Sequence, residues 1–304
     1  LGIPPCRQAC PIQQSAQGYL ALVARGKFAE ALAVIRRDNP LPTVCGRVCN
    51  HLCEDECSRG KLDESISIAA IKRFVTEYGY QHKDDILFSL PDHPGEPLKM
   101  TNLLAPEPLP SSVGSSGLEG LSSFPAGVDE EGSPEHASVE LAKKSVVREW
   151  PREPGEVAII GGGPAGLACA QEIVLNGHRA TIFEGSQEAG GMLRWGIPAF
   201  RLPQPYLNHD LEFIKGLGVK IRTACRVGKD VPFEDLLARF DAIFLAAGLS
   251  KNIELRIPGS ELQGVSYGSD ILRGRNSGER PNMVDSKVVI VGGGNAAIDT
   301  ARTL

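Results

Sequence analysis

Several features that would assign this 304-residue chain to a membrane protein or a nucleic-acid-binding protein are missing. No run of eighteen apolar residues occurs, so the sequence predicts no direct membrane span. The formal net charge is −5 and the pI is near 5.8, which gives no reason to expect nucleic acid as a partner. No signal peptide is visible, and we therefore expect a cytoplasmic protein.

Cys-x-x-Cys pairs are also missing, although the chain contains eight cysteines. A reducing compartment disfavours disulfides, and zinc usually prefers the tight pairs that are absent here. Iron–sulfur clusters fit best, with zinc as the remaining alternative, because Cys followed by Pro, as in Cys10-Pro11, is typical of ferredoxin-type cluster loops. The candidate metal ligands are Cys6, Cys10, Cys45, Cys49, Cys53 and Cys57.

The most informative feature that is present is a pair of glycine-rich dinucleotide fingerprints. The first follows the apolar run 157–160, which predicts a buried parallel strand. Its glycines permit a tight turn, a close approach of the backbone to a pyrophosphate, and packing of the next helix, at about 165–176, on the strand. The N-terminus of that helix would face the phosphates. The predicted contacts are Gly161, Gly163, Pro164, Ala165 and Gly166.

An acidic residue supports the first fingerprint. Glu184 ends the next predicted strand, 179–183, where a carboxylate can accept hydrogen bonds from ribose hydroxyls. A strand, glycines, a helix, a strand and an acid in register form a strong signal, whereas a glycine turn alone is weak. Small residues in further segments favour FAD over NAD, because they let the backbone approach a cofactor. These segments are Gly190 with Gly191, a buried strand predicted at 240–248 that ends in Ala247 and Gly248, and a strand predicted at 222–229 that carries Val227.

The second fingerprint follows another apolar run, 288–291, which again predicts a buried strand. Two such sites in one chain indicate a flavin in the first and a nicotinamide in the second. A βαβ unit needs roughly thirty residues or more, so we interpret this region as the beginning of a nucleotide domain, and the chain as a fragment or as one piece completed by a neighbouring chain. The predicted contacts are Gly292, Gly294, Asn295, Ala296 and Ala297.

The stretch from Gly190 to Pro203, which reads Gly-Gly-Met-Leu-Arg-Trp-Gly-Ile-Pro-Ala-Phe-Arg-Leu-Pro, resembles a flavin-side signature of the small (β) subunit of glutamate synthase and its relatives. The cysteine-rich segment is similar to the N-terminal cluster domain that this family shares with dihydropyrimidine dehydrogenase. The resemblance implies FAD at the first fingerprint, with Leu193 and Arg201 among the site residues, and NADH or NADPH at the second.

The same resemblance implies two [4Fe–4S] clusters in the complete protein. One would include Cys6 and Cys57, and the other would include Cys10, Cys49 and Cys53. Some relatives have Gln or Glu as a further ligand at the position of Lys72, and a protonated lysine is a poor iron ligand. Cys45 is the alternative, so the assignment of individual ligands stays open.

The segments around the cysteines have helical periodicity. Residues 12–37 predict two helices separated by Gly26, and residues 65–78 predict an amphipathic helix. In the helix predicted at 65–78, the side chains expected to face the core are Ile68, Ile71, Phe74 and Val75. Residues 84–150 are rich in Pro, Gly, Ser and Glu, and we interpret them as a linker, with a partner-docking segment as the alternative.

Together these patterns predict an α/β chain with a helical iron–sulfur domain (1–83), the linker (84–150), a Rossmann-type FAD-binding domain (151–252) and the start of a Rossmann-type NAD(P)-binding domain (253–304). The predicted function is electron transfer between NAD(P)H and FAD, and onward through the clusters to a redox partner subunit. No catalytic acid or base is predicted, because the cofactors carry the chemistry. A non-catalytic electron-conduit or structural subunit is the alternative. A disulfide reductase is disfavoured, because residues 151–304 contain only Cys169 and Cys225.

Overall fold

The computed structural model describes residues 3–82, 154–253, 257–279 and 286–304. The segment 84–150, interpreted above as a linker, lies outside the described residues. None of the helices in the described ranges combines the length and the apolar character needed to cross a lipid bilayer.

The N-terminal segment is helical, as expected. The predicted break at Gly26 is confirmed, since this residue has a φ of +71° and separates two helices. The buried side chains of Tyr19, Leu32, Ile35 and Val75 form the centre of a small core. The elements are α1 (Pro5–Ala9), α2 (Ala16–Val23), α3 (Phe28–Asp38), α4 (Pro42–Val48), α5 (Leu52–Asp55), a 3-10 turn (Ser58–Lys61) and α6 (Ile68–Gln81).

One predicted core residue of α6 is wrong. Ile68 and Val75 are buried and Ile71 packs against the same core, but Phe74 is 48% exposed. Its ring meets the edge of Phe28, with centroids 5.1 Å apart. The apolar stripe of α6 is therefore wider than the face that the core covers, and an aromatic pair at the rim accounts for Phe74.

A parallel sheet carries the first fingerprint and confirms the α/β class. Its strands are β1 (Glu156–Ile160), β2 (Arg179–Phe183), β3 (Lys220–Arg222) and β4 (Ala242–Leu245). They pair in the order β3–β2–β1–β4, with Ile159 opposite Ile182 and Ile160 opposite Leu245. The remaining helices are α7 (Pro164–Leu175), α8 (Met192–Trp195), α9 (Gln204–Gly216), α10 (Phe233–Arg239), α11 (Gly268–Asn276) and α12 (Asn295–Thr303).

The strand predicted at 222–229 is wrong in its bounds. The strand β3 ends at Arg222, and Ala224 takes a φ of +50°, which turns the chain out of the sheet. Val227 then makes only an isolated bridge to Val231. A residue whose backbone lies in the left-handed region cannot continue a strand, and sequence periodicity does not detect it.

The other two predicted strands differ from expectation in burial. The strand at 240–248 forms only over β4, and it is not buried, since Leu245 is 68% exposed. The run 288–291 forms no strand, and Val289 and Val291 are each 88% exposed. An isolated strand leaves its N–H and C=O groups unpaired, and no strand in the described residues lies beside this run.

The helical segment and the sheet belong to one compact unit and share a core. Leu41 and Val44 pack with buried side chains of the sheet and its helices. Asp210 of α9, which is inaccessible to solvent, accepts hydrogen bonds from the backbone N–H of Thr43 (3.0 Å) and from the guanidinium of Arg36 (3.3 Å). These contacts fix the cysteine-rich helices against the dinucleotide fold.

Candidate cofactor sites

The glycine turn after β1 is enclosed by the chain on two sides. Gly161 has a φ of +110°, and a Cβ atom built on it would lie 2.2 Å from the carbonyl oxygen of Ala246. A Cβ on Gly166 would lie 2.0 Å from the carbonyl oxygen of Gly161. Only hydrogen fits at either position, so the end of β4 and the start of α7 lie directly against the turn.

Glu184 lies beside the turn and is held by two backbone groups. Its Oε2 accepts a hydrogen bond from the N–H of Gly162, and its Oε1 accepts one from the N–H of Ser186, each at 2.7 Å. The side chain is 9% exposed. Each carboxylate oxygen has further acceptor capacity, so Glu184 can receive ribose hydroxyls while these bonds keep it oriented.

The loop that contains Gly190 and Gly191 closes onto the same turn. The N–H of Gly190 donates to the carbonyl oxygen of Gly162 at 2.8 Å. Gly191 has a φ of +54°, and a Cβ on it would lie 2.8 Å from the Cα of Gly163. The structure therefore brings the first glycine turn, Glu184, the paired glycines and the end of β4 into one place.

Arg194 organises this loop, although the sequence patterns did not single it out. The residue is 5% exposed, and its guanidinium donates to the carbonyl oxygen of Ala189 (2.7 Å) and to the side-chain oxygens of Gln204 (2.8 Å) and Asn208 (2.6 Å). Burial lowers the pKa of Arg194, and nearby Glu188 opposes that effect. The signal was present, because Arg194 lies inside the signature that begins at Gly190, but its role depends on residues that only the fold brings near.

Three predicted contacts lie at the margin of this site. Leu193 packs against the core, and Val227 packs beside a smaller cluster that includes Phe183. Arg201 points to the second fingerprint, where its Nη1 pairs with the carboxylate of Asp299 at 2.7 Å. Arg201 therefore forms an ion pair within the protein.

The second glycine turn has a similar backbone and open surroundings. Gly292 has a φ of +124°, and α12 begins directly after Gly294, as α7 begins after Gly163. The nearest atom to a Cβ on Gly292 would be the Cβ of Ala297, at 3.7 Å, and nothing in the described residues lies within 4 Å of one on Gly294. The predicted contacts Asn295, Ala296 and Ala297 form the first turn of α12.

The candidate ligand cysteines lie on or beside short helices. Cys6 is in α1 and Cys10 directly follows that helix; Cys45 is in α4 and Cys49 directly follows it; Cys53 is in α5, and Cys57 precedes the 3-10 turn. Among the described residues no three His, Cys, Asp or Glu side chains are close enough together to form a metal site. The thiols are free, and thiolates are the ligands that iron–sulfur clusters need, so the residue types fit a cluster. Among the described residues, however, the sulfurs are not assembled into a set of ligands.

Electrostatic effects group several of these thiols. The pKa of Tyr19 is raised by burial and further by the thiols of Cys53, Cys10 and Cys6, so each of these thiols lies near Tyr19. Hydrogen bonds from backbone N–H groups lower the pKa of the Cys57 thiol, and the largest effect comes from Ile66. Stabilised thiolates of this kind are the form that binds metal.

Cys225 and Cys169 are packing residues, as expected. Cys225 is 9% exposed beside Phe183, and Cys169 lies on α7 against the main core. Burial raises the pKa of the Cys169 thiol, which disfavours the reactive thiolate.

Comparisons with known families match both halves of the chain. Residues 2–84 match the family described as dihydropyrimidine dehydrogenase domain II, 4Fe-4S cluster. Residues 155–304 match the family described as pyridine nucleotide-disulphide oxidoreductase. These matches confirm the predicted order of an iron–sulfur domain and a dinucleotide-binding domain, and the predicted cofactor classes of [4Fe–4S] clusters, FAD and NAD(P)H.

Relatives match along almost the whole chain. The NADP(+)-dependent formate dehydrogenase subunit beta of Moorella thermoacetica is 35% identical over 98% of this chain and 37% of its own length. The NADPH-Fe(3+) oxidoreductase subunit beta of Geobacter sulfurreducens is 33% identical over 98% of this chain and 36% of its own length. The glutamate synthase [NADPH] small chain of Escherichia coli is 29% identical over 99% of this chain and 54% of its own length.

This chain thus spans between about a third and somewhat more than half of the length of these relatives. Among solved structures, FprA of Mycobacterium tuberculosis in complex with NADPH is 24% identical with a TM-score of 0.42, over 49% of this chain and 36% of that one. The two family matches follow the order that the sequence predicted, and the chain is similar to glutamate synthase small chains along almost its whole length.

Proposed function

We propose that the chain is part of an oxidoreductase that exchanges hydride equivalents with NAD(P)H and passes single electrons through iron–sulfur clusters to a partner. The observation that carries this proposal is that α4, which bears Cys45, packs through Val44 and the preceding Leu41 into the core of the sheet that carries the first dinucleotide turn. A shared core keeps two redox sites at a constant separation. Within this proposal the iron–sulfur domain is 1–83, the linker is 84–150, the FAD-binding domain is 151–252 and the start of the NAD(P)-binding domain is 253–304.

We propose that the first turn holds FAD. Glu184 would bind the ribose hydroxyls, and the N-terminus of α7 after Gly163 would face the pyrophosphate. The loop ordered by Arg194 would bring Gly190 and Gly191 against the cofactor. FAD supplies the conversion between two-electron and one-electron chemistry, so this part of the protein needs to bind, orient and shield rather than donate protons.

The six N-terminal cysteines are the proposed cluster ligands. Three of them, Cys10, Cys49 and Cys57, lie outside the helices, where backbone N–H groups can also donate to sulfur, as they do at Cys57. Clusters supply one-electron relay, and their potentials depend on hydrogen bonds and charges near the sulfurs.

A second candidate function is an electron-conduit subunit whose nicotinamide site is not used. The exposure of Val289 and Val291 favours it, because the backbone before the second turn is not held in a sheet among the described residues. In either case we propose a redox partner subunit and a cytoplasmic location. The relatives named as beta subunits support the partner.

Anaerobic purification followed by reductive titration tests both functions. We expect bound FAD and iron, bleaching of the flavin absorbance on addition of NADPH or NADH, and then cluster signals in electron paramagnetic resonance. Reduction by dithionite but not by either nicotinamide would favour the conduit. Stoichiometric zinc without iron would overturn the electron-relay proposal.

A further inference from the structure

Lys72 is a buried cation in the cysteine-bearing segment. It lies on α6, and 6% of the residue is exposed, whereas the next residue, Arg73, is exposed and pairs with Glu77 at 2.8 Å. No ion pair with a carboxylate involves Lys72 among the residues that the structure describes. A buried ammonium group is costly unless a negative charge lies near it, so a partner of another kind is needed.

Two cysteines of this segment lie near Lys72. A Cβ on Gly46 of α4 would lie 3.0 Å from the Cα of Arg73, so α4 and α6 are in backbone contact at this point. Cys45 and Lys72 each immediately precede one of these two contact residues, so both lie near the helix crossing. The charge of Lys72 acts on the thiol of Cys45 and also on that of Cys53, in both cases opposing the effect of burial.

The chemistry of lysine defines what this group can do. An ammonium group has three N–H donors and no lone pair, so it does not ligate iron. It can donate hydrogen bonds to thiolate or sulfide sulfur and can balance the negative charge of a cluster. One-electron reduction adds one negative charge to a cluster without making or breaking a bond, and a fixed cation nearby stabilises that reduced state.

We propose that Lys72 is the buried counter-charge of the iron–sulfur site beside Cys45 and Cys53, and that it raises the reduction potential of the cluster there. This inference rests on the proposed function, because it requires that the cysteines hold a cluster. It makes Lys72 a positioning and tuning residue and not a ligand. A more positive potential favours transfer of an electron onto this cluster.

The test compares three variants of the holoprotein by redox titration monitored by electron paramagnetic resonance. Lys72→Met removes the charge and keeps the length of the side chain, while Lys72→Arg keeps the charge. Lys61→Met is the matched control, because Lys61 is solvent-exposed in the 3-10 turn after Cys57, where water and salt screen its charge. We expect Lys72→Met to lower the ratio of reduced to oxidised cluster at a given potential about tenfold, equivalent to about 59 mV, and the other two variants to leave it almost unchanged.

The outcomes separate this inference from the proposed function. A wild-type protein without iron contradicts the proposed function itself. Retained clusters with an unchanged potential in Lys72→Met overturn the role of Lys72. If Lys72→Met folds by circular dichroism but loses its iron, retention of iron by Lys72→Arg supports the counter-charge, whereas loss in both variants shows a packing role and overturns it.

Discussion

The two dinucleotide fingerprints have almost the same backbone turn and very different surroundings. Gly161 and Gly292 have φ values of +110° and +124°, and the glycine before each helix has a φ of −78°. Around Gly161 the carbonyl of Ala246 and the carboxylate of Glu184 are close, whereas a Cβ atom added to Gly293 or Gly294 would meet nothing within 4 Å among the described residues. A glycine motif thus specifies the local turn, and the neighbouring strands make it a site.

The largest effect should come from adding one methyl group to each turn. Both Gly161→Ala and Gly292→Ala force a side chain into a positive-φ conformation, which costs about 1–2 kcal/mol. Only the first also drives a Cβ into the carbonyl of Ala246, at 2.2 Å. We expect Gly161→Ala to lower the free energy of unfolding by about 4 kcal/mol and Gly292→Ala by less than about 2 kcal/mol, measured by urea denaturation. Equal losses would show that the end of β4 does not enclose the first turn.

The next effect concerns the buried anchor behind the first fingerprint. Gln171 of α7 donates to the carbonyl oxygen of Arg36 at 3.0 Å, and the guanidinium of Arg36 pairs with Asp210. Arg36→Met leaves the carboxylate of Asp210 buried without its cation, and we expect the free energy of unfolding to fall by about 3 kcal/mol. The double variant Arg36→Met, Asp210→Asn should recover most of this loss, because both charges are gone and the amide oxygen of Asn can still accept from the N–H of Thr43. A single variant as stable as the wild type would contradict a structural role for the pair.

The same anchor predicts a pH dependence. Burial raises the pKa of Asp210 to about 6, although Arg36 and the N–H of Thr43 oppose the shift. A carboxyl group whose pKa is higher in the folded chain adds most stability below its ordinary pKa near 4, and this contribution is lost as the pH rises through about 6. The wild type should therefore lose stability relative to Asp210→Asn between these pH values, by at most about 3 kcal/mol.

Urea denaturation at a series of pH values measures this difference. Asp63 is the matched control, because a hydrogen bond from Arg59 lowers its pKa and gives the opposite sign. Its contribution is present above its ordinary pKa and is lost on acidification. A pH profile of the wild type parallel to that of Asp210→Asn would show that Asp210 titrates alike in the folded and unfolded chains.

Flavin retention tests the role of Glu184 at the first fingerprint. Both carboxylate oxygens of Glu184 accept hydrogen bonds in the structure. Glu184→Gln would therefore place an amide N–H₂ group against the N–H of Gly162 or of Ser186, so that two donors face each other. We expect FAD affinity to fall between tenfold and a hundredfold, about 1.4–2.7 kcal/mol, by equilibrium dialysis. Glu156→Gln is the control, because the side chain of Glu156 is 45% exposed and its carboxylate pairs with Arg179 on the neighbouring strand. Full retention of FAD by Glu184→Gln would refute ribose binding by this residue.

The sequence predicted the parts of this arrangement that depend on neighbours in the chain. The bounds of β2 agree with the prediction, and α7 and the break at Gly26 follow it closely, because apolar runs, glycine and proline act locally. The burial of β4 and of 288–291 was wrong, because burial depends on which elements cover a strand and not on its own composition. Arg194 and Asp210 were missed for the same reason, since their partners are brought near only by the fold.

The smallest effect is expected at the contact that joins the two fingerprints. Arg201 follows the glycine loop of the first site, and its Nη1 lies 2.7 Å from the carboxylate of Asp299 in α12, after the second turn. The side chain of Arg201 is 30% exposed, unlike that of Arg36, so water replaces much of the interaction when it is lost. We expect Arg201→Met to lower the free energy of unfolding by less than about 1 kcal/mol, and a double-mutant cycle with Asp299→Asn to give a coupling of similar size. A coupling as large as that of Arg36 with Asp210 would mean that the second fingerprint is anchored as firmly as the first, which contradicts the open surroundings of Gly292.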